Sequence, residues 1–368
     1  MRTLALAILV TAIASSSLAS YAHTEDLLRK IVREEILGLL PADGAGGIAV
    51  AVRIEGRLLF FDAGTADRAT DRPVTPDTAF NIASLRKPFE ASLLALAVED
   101  GRMALDEPVC NYVPELADGR DIHRVTLGQL ATHTSGLLLP QDHPPWPTEH
   151  YTLASFLETL NAWQAAAEHQ PGRQHMYTHA GYILLQLALE RGLGAPIREL
   201  LQTRIFRPLG MQASLIPQRG APPPHAVQGY GEDGTPIGLP GDQQTYYDFP
   251  GTGQMYSTAT DLALFLAASM GETMGEHPLP TALTHALSLT QAPAVTIGAH
   301  DAQALAWEID DSGGPTIVDK NGGLNNSSAY MGMIPAQKLG IVVLSNRGGI
   351  DVAQAGRRTL RRVSQRRL

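Results

Sequence analysis

Residues 48–61 read Ile48-Ala49-Val50-Ala51-Val52-Arg53-Ile54, then Glu55-Gly56, then Arg57-Leu58-Leu59-Phe60-Phe61. Two apolar, β-prone runs joined by a two-residue turn spell a β-hairpin. A lone hairpin cannot hold itself together in water, so these strands need partners. The next strand-rich stretches lie at the far end of the chain, at Gly314 to Val318, Ala329 to Ile334 and Gly340 to Ser345. Pro335-Ala336-Gln337-Lys338-Leu339 forms the turn between the last two. The chain is therefore expected to fold back on itself, pairing its first strands with its last.

Helical patterns surround this sheet. From Asp26 to Leu40, the apolar residues Leu28, Ile31, Val32, Ile36, Leu39 and Leu40 recur at helical spacing. Pro41 and the Gly44 to Gly47 stretch end that helix. Residues 84–290 read mostly as helix and loop, with breaks at Pro140 to Pro147, Pro171-Gly172, Pro217 to Pro224 and Pro236 to Pro250. The expected fold class is mixed α/β (α+β). An antiparallel sheet from the N- and C-terminal segments, 23–83 and 291–368, is flanked by helices, with a mostly helical insert at 84–290. A cleft at the seam of the two regions is the expected place for a site.

Composition narrows the function. The chain has 368 residues, 44% hydrophobic and 18% charged, which is ample for a buried core. A formal charge of −9 gives no basic surface for nucleic acid. Cys110 is the only cysteine, so no internal disulfide forms, and a small buried hydrophobe is its expected role. At the N-terminus, Arg2 precedes an apolar run from Leu4 to Ile13 and a small-residue stretch from Ala14 to Ala22. This pattern reads as a secretory signal peptide, residues 1–22, with cleavage after Ala22. An exported protein without stable membrane insertion is expected, periplasmic in location.

Three clusters carry chemistry. Asn81-Ile82-Ala83-Ser84-Leu85-Arg86-Lys87 leads into an apolar helix, Phe89 to Val98, and a spacing of three puts Ser84 and Lys87 on one face. Serine becomes nucleophilic when a neighbouring base takes its proton, and a buried lysine can be that base. Tyr177 stands just before the helical run Ile183 to Leu189, and Lys320 closes a strand ahead of Gly322 and Gly323. A nucleophile, two proton-handling groups and an anion anchor make a kit for acyl transfer.

With these residues the sequence resembles the serine β-lactamase and penicillin-binding-protein superfamily. It is most similar to the class C β-lactamases and their relatives among D-alanyl-D-alanine peptidases and esterases. The Ser-x-x-Lys signature appears as Ser84-Leu85-Arg86-Lys87, the Tyr-x-Asn element as Tyr177-Thr178-His179, and the Lys-Thr-Gly element as Lys320-Asn321-Gly322. Leu105 to Pro108, Leu130 to Gly136, Ile205 to Met211 and Tyr256 to Leu262 resemble further landmarks in the same order.

The resemblance implies a β-lactamase/transpeptidase-like fold and hydrolysis of β-lactams through a Ser84 acyl-enzyme. It assigns proton transfer to Lys87 and Tyr177, the oxyanion hole to the backbone N–H groups of Ser84 and Gly323, and the substrate carboxylate to Lys320. Gly322 allows close approach. Gln141 is either a contact to the substrate amide or an ordinary loop residue. Asn346 resembles an asparagine near the carboxylate end of the site, and Arg347 is either an anion anchor or a solvated charge. No cofactor is implied. The expected partner is a small β-lactam or D-alanyl peptide, with no nucleic acid and a monomeric chain.

The sequence also departs from the family pattern. His179 replaces an asparagine, and an imidazole cannot offer an amide's paired donor and acceptor. Gly253 and Gln254 stand where many class C enzymes have a tyrosine wall, which implies a missing wall. His175 and His179 are four apart, a spacing that on a helix can bind zinc, but no third ligand can be named. His133 is expected to be packed, and His143 and His150 solvated. The C-terminal Arg357, Arg358, Arg361, Arg362, Arg366 and Arg367 read as a solvated helix end, with a weak contact to an anionic envelope surface as the alternative. D-alanyl-D-alanine carboxypeptidase, endopeptidase or esterase activity, and a penicillin-binding sensor that does not turn over, remain open alternatives.

Overall fold

Ile48, Val50, Val52 and Ile54 alternate with Ala49 and Ala51 along strand β1, Gly47–Ile54, and the two sets feed different cores. In this computed structural model the described residues are 24–139, 152–217, 223, 225–237, 254–272 and 278–366. β1 turns into β2, Arg57–Asp67, through Glu55 and Gly56, at φ of 51° and 76°. Positive φ at both central residues is the hairpin geometry that matches the twist of paired strands.

The remaining strands are β3 (Arg72–Pro73), β4 (Phe80–Asn81), β5 (Tyr256–Ser257), β6 (Val295–Thr296), β7 (Asp301–Gln303) and β8 (Glu308–Asp310). β9 (Ile317–Leu324), β10 (Ser327–Ile334) and β11 (Leu339–Ser345) follow. Among the described residues, nine strands make one sheet in the order β3-β2-β1-β11-β10-β9-β8-β7-β6, while β4 and β5 pair separately. The expected join of chain ends is the antiparallel pairing of β1 with β11, Val50 opposite Val343. Two strand expectations are corrected. β9 begins at Ile317 and runs through Leu324, so Lys320 lies inside the strand and not at its end. β6, β7 and β8 were not foreseen, being two or three residues long, too short to show alternation.

Helix α1, residues 24–35, buries Leu28, Ile31 and Val32 against the β1 face that carries Ile48 and Val50. It is shorter than the periodicity suggests, because the chain tightens into a 3-10 turn at Leu37–Leu39. The opposite sheet face packs on the helical region. Its members are α2 (Lys87–Glu99), α3 (Leu127–Ala131), α4 (Leu153–Ala162) and α5 (His179–Leu193). α6 (Ile197–Leu201), α7 (Arg207–Leu209), α8 (Ala259–Ser269) and α9 (Thr281–Leu289) complete it. α2 is buried from Lys87 through Ala97, as expected of a helix that is apolar nearly all round.

Helix α10, Val352–Ser364, returns to the α1 side. Arg357, Arg358, Arg361 and Arg362 are paired, which corrects the expectation of a solvated helix end for these four, while Arg367 lies outside the described residues. Arg358 bonds Glu35, Arg362 bonds Glu34 and Glu35, and Arg361 bonds Asp310, each with an N–O distance of 2.7 or 2.8 Å. Glu34 and Glu35 of α1 draw Arg358 and Arg362 onto the neighbouring helix, while Asp310 of β8 ties Arg361 to the sheet. Cys110 is also corrected. It is partly exposed, its Sγ 3.9 Å from the His123 carbonyl, and packs only against the edge of the core.

Candidate active site

The local fold around Ser84 is set by two short devices. Asn81 is buried at the end of β4, and its Oδ1 accepts the Ala83 N–H at 2.9 Å. Ala83 then adopts a φ of 49°, the left-handed region that costs a non-glycine residue roughly 1–2 kcal/mol. That reversal starts a 3-10 turn, Ala83–Arg86, which runs straight into α2 at Lys87. Helix therefore begins before the expected Phe89, and Pro88 sits in its first turn, where a missing N–H costs nothing. Ser84 and Lys87 meet one turn apart, with Lys87 Nζ donating to Ser84 Oγ at 3.1 Å.

Tyr177 is fixed from the other side. Thr178 caps α5 by accepting the Gly181 N–H, and Tyr177 is the residue before that cap. The loop around His133 braces the approach, since Met176 N–H donates to the His133 carbonyl at 2.7 Å and Thr178 N–H donates to His133 Nδ1 at 3.3 Å. The His133 ring lies 4.3 Å from the Tyr177 ring and 5.0 Å from that of Tyr182. Tyr182 in turn donates to the Ala131 carbonyl at 2.9 Å. So held, the Tyr177 hydroxyl lies 2.7 Å from Ser84 Oγ.

Lys320 closes the group from β9. Its Nζ lies 5.0 Å from the centre of the Tyr177 ring, the same distance as Lys87 Nζ. β9 passes hard against the 3-10 turn. A Cβ on Gly322 would stand 2.8 Å from the Ile82 carbonyl oxygen and 2.9 Å from Ser84 N, closer than side chains approach backbone. Asn321 and Gly323 are exposed on the strand beside it.

Electrostatics follows from this crowding. Burial pushes the Lys87 amine below its ordinary pKa and Lys320 adds to the shift, against the opposing pull of Tyr177. Burial alone would raise the Tyr177 phenol, but the cations Lys87 and Lys320 outweigh it and the net shift is downward. Burial would lower Lys320 as well, and the attraction of Tyr177 and Glu308 reverses that, so Lys320 is raised. One lysine is thus prepared to give up a proton and the other to keep it. Lys87 and Tyr177 together can accept the Ser84 proton.

His179 opens α5, with its ring 5.4 Å from that of Tyr177 in an edge-on arrangement. Burial, then Lys87 and Lys320, push its pKa down to about 3, so the imidazole is neutral at ordinary pH. His175 lies ahead of the helix, so it and His179 do not share a helical face. Among the described residues, no group of three or more His, Cys, Asp or Glu could hold a metal ion. Gln141, His143, His150 and Gly253 lie outside the described residues.

Two sequence readings are corrected. Asn346 is fully buried and its amide is engaged by backbone. Oδ1 accepts the Gly47 N–H at 2.7 Å, while Nδ2 donates to the carbonyls of Thr65, Ala66 and Gln228 at 3.2, 3.2 and 2.7 Å. With no exposed surface, the amide presents nothing to a substrate, so Asn346 is a clamp between segments. Arg347 is likewise buried, bonding Asp43 at 2.7 Å and the carbonyls of Ala45 and Glu232 at 2.9 and 2.7 Å. It is neither an anion anchor nor a solvated charge.

Sequence reasoning missed the partner of Lys320. Glu308 Oε1 accepts from Lys320 Nζ at 2.7 Å. An acidic residue on a three-residue strand carries no pattern that would single it out.

A profile of the family described as Beta-lactamase matches residues 27–365, nearly the whole chain. The chain belongs to that family. A β-lactamase of Pseudomonas fluorescens is 25% identical over 349 residues, covering 87% of this chain and 94% of that protein. The crystal structure of a β-lactamase/D-alanine carboxypeptidase from Pseudomonas syringae superposes with a TM-score of 0.79 at 24% identity, covering 93% of this chain and 99% of the other. A class C β-lactamase structure gives 0.78 at 24%, covering 91% and 96%. At that identity the structural likeness establishes the fold.

Proposed function

We propose that this family member is a serine hydrolase of the class C β-lactamase type, opening β-lactam rings through a Ser84 acyl-enzyme. The observation that carries the reading is the convergence on Ser84 Oγ of the Tyr177 hydroxyl at 2.7 Å and Lys87 Nζ at 3.1 Å. In the first step Ser84 Oγ attacks the lactam carbonyl as its proton passes to the Tyr177 and Lys87 pair. The backbone N–H groups of Ser84 and Gly323 receive the oxyanion. The proton then goes to the departing lactam nitrogen, and Ser84 carries the acyl group. In the second step Tyr177 takes a proton from the water that attacks the ester carbonyl and returns it to Ser84 Oγ as the acyl–oxygen bond breaks, releasing the acid and free Ser84.

Lys320 binds the substrate carboxylate, with Asn321 beside it and Gly322 permitting the close passage of β9. His179 borders the substrate amide. A neutral ring there offers one hydrogen bond where an amide would offer a donor and an acceptor, which favours a substrate range unlike that of a standard cephalosporinase. The catalytic unit spans 23–368, with the sheet region at 23–83 and 291–368 and the helical region at 84–290. Residues 1–22 act as a signal peptide delivering the chain to the periplasm as a monomer, supported by Arg2, the apolar run Leu4 to Ile13 and small residues up to Ala22. Among the described residues no helix is long and apolar enough to cross a membrane.

Cleavage of D-alanyl-D-alanine peptides is a second reading, favoured by the same His179 and by the likeness to the Pseudomonas syringae enzyme. Turnover of a chromogenic cephalosporin, beside a D-alanyl-D-alanine peptide, separates the two. The proposal expects ring opening by the wild-type chain and none by Ser84→Ala. Peptide cleavage without lactam turnover would favour the second reading, and lactam turnover by Ser84→Ala would refute both.

A further inference from the structure

Glu308 lies between two cations from different parts of the chain. Oε1 accepts from Lys320 Nζ at 2.7 Å, and Oε2 accepts from Arg357 Nη2 on α10 at 3.3 Å. Arg357 also grips Asp319 on β9, with Nε at 2.5 Å and Nη2 at 2.8 Å, and Asp319 accepts the Tyr330 hydroxyl at 2.8 Å. A chain of charges therefore runs from the C-terminal helix, under β9, to the ammonium beside Tyr177. The Lys320 side chain is 3% exposed, so this contact holds a buried group and not a solvated one.

We propose that Glu308 is a positioning residue that clamps the Lys320 ammonium beside Tyr177 and limits the positive field it presents to both the phenol and the substrate anion. The inference rests on reading Tyr177 as proton acceptor and Lys320 as anion anchor. Its logic is Coulombic. A carboxylate on the far side of Lys320 subtracts from the pull of that cation on any negative charge in the cleft. Arg357 on α10 holds the other oxygen of Glu308, so the carboxylate is fixed behind Lys320 from two sides.

The groups facing Glu308 are Lys320 and Asp319 from β9, Arg357 from α10, and His175 from the segment before α5. Those facing Tyr177 are Ser84 in the 3-10 turn, Lys87 from α2, Lys320 from β9, the phenol of Tyr182 on α5, and the rings of His133 and His179. Neutralising Glu308 leaves this set otherwise unchanged. Tyr177 should then ionise at lower pH, and carboxylate substrates should bind more tightly.

The test is absorbance titration of tyrosinate in wild type, Glu308→Gln and Glu308→Asp, each read against the same chain with Tyr177→Phe. Steady-state kinetics with a carboxylate-bearing cephalosporin and a neutral nitrophenyl ester accompany it. Glu308→Gln should move the Tyr177-dependent step about one pH unit lower, while Glu308→Asp, which keeps the charge, restores it. KM for the carboxylate substrate should fall about fivefold in Glu308→Gln with KM for the ester unchanged. A step that stays at the wild-type pH, equal shifts in both variants, or parallel changes in KM for both substrates would overturn the proposal. If neither substrate is turned over by wild type, the hydrolase reading fails while the titration still decides the role of Glu308.

Discussion

The Tyr177 hydroxyl and Ser84 Oγ lie 2.7 Å apart although 93 residues separate them in the chain. They meet because Tyr177 is locked before the cap of α5 and Ser84 is turned out by the left-handed Ala83. With Lys87 and Lys320 each 5.0 Å from the Tyr177 ring, the phenol has cations to support its ionised form. That relationship governs the chemistry expected of the site.

Tyr177→Phe removes the hydroxyl while keeping the ring that packs on His133. The variant should fold like wild type and lose about 100-fold to 10,000-fold in kcat, the range for a missing proton-transfer group. Circular dichroism and lactam turnover check the two halves. A kcat within threefold of wild type would remove Tyr177 from the mechanism.

Activity should rise with pH and level off. The Tyr177 phenol and the Lys87 amine are both held below their ordinary pKa values, so raising pH through those lowered values frees the base that accepts the Ser84 proton. Lys320→Gln takes away one of the cations that lower Tyr177, so the rising limb of kcat/KM should move to higher pH. A limb that moves lower, or stays fixed, contradicts the electrostatic assignment.

Gly322→Ala places a methyl 2.8 Å from the Ile82 carbonyl oxygen and 2.9 Å from Ser84 N. Neither backbone atom can yield without shifting the 3-10 turn or β9. A displacement of that kind should cost about 100-fold in kcat/KM. Gly323→Ala is the control, because a Cβ there meets nothing nearer than 4.0 Å. Equal losses in the two variants would argue against the close passage as the cause.

Asn346→Ala should reduce stability and leave KM unchanged. It strips partners from the buried Gly47 N–H and from the carbonyls of Thr65, Ala66 and Gln228. An unpaired buried group costs about 1–3 kcal/mol, enough to lower Tm by several degrees. A changed KM with an unchanged Tm would return Asn346 to the substrate site.

Acid should destabilise the fold before it protonates most carboxylates. His133 and His179 are kept neutral by burial first, and then by Lys320 and Lys87. The unfolded chain takes up these protons below about pH 6.5, whereas folded His179 resists until about 3. In that window the unfolded state binds more protons, so stability falls as pH falls, by up to about 1.4 kcal/mol per pH unit for each histidine. His179→Asn should flatten the dependence of Tm on pH between 6.5 and 4, and an unchanged slope would refute its share.

The sequence was informative where a residue's role was written next to it. Ser84 and Lys87 stand at helical spacing, Tyr177 precedes a helix, and Lys320 precedes the glycines that β9 needs, so each is marked by its neighbours. The β1 hairpin likewise announced its need for partners. Glu308 had no such mark, since β7 and β8 are three residues each and their pairing depends on β9. Asn346 misled for a related reason. The family resemblance placed it near the carboxylate end of the site, whereas the carbonyls that claim it come from segments more than a hundred residues away. The arginines of α10 are paired with acids of α1 and of the short strands, partners that no local pattern can name.

The central claim is that Ser84 carries the acyl group. Rapid-quench mass spectrometry of the chain mixed with a cephalosporin, followed by peptide mapping, tests it most directly. The account predicts a transient adduct confined to Ser84 that decays as product forms and is absent in Ser84→Ala. Product formation with no adduct at any mixing time, or an adduct on another residue, would contradict it.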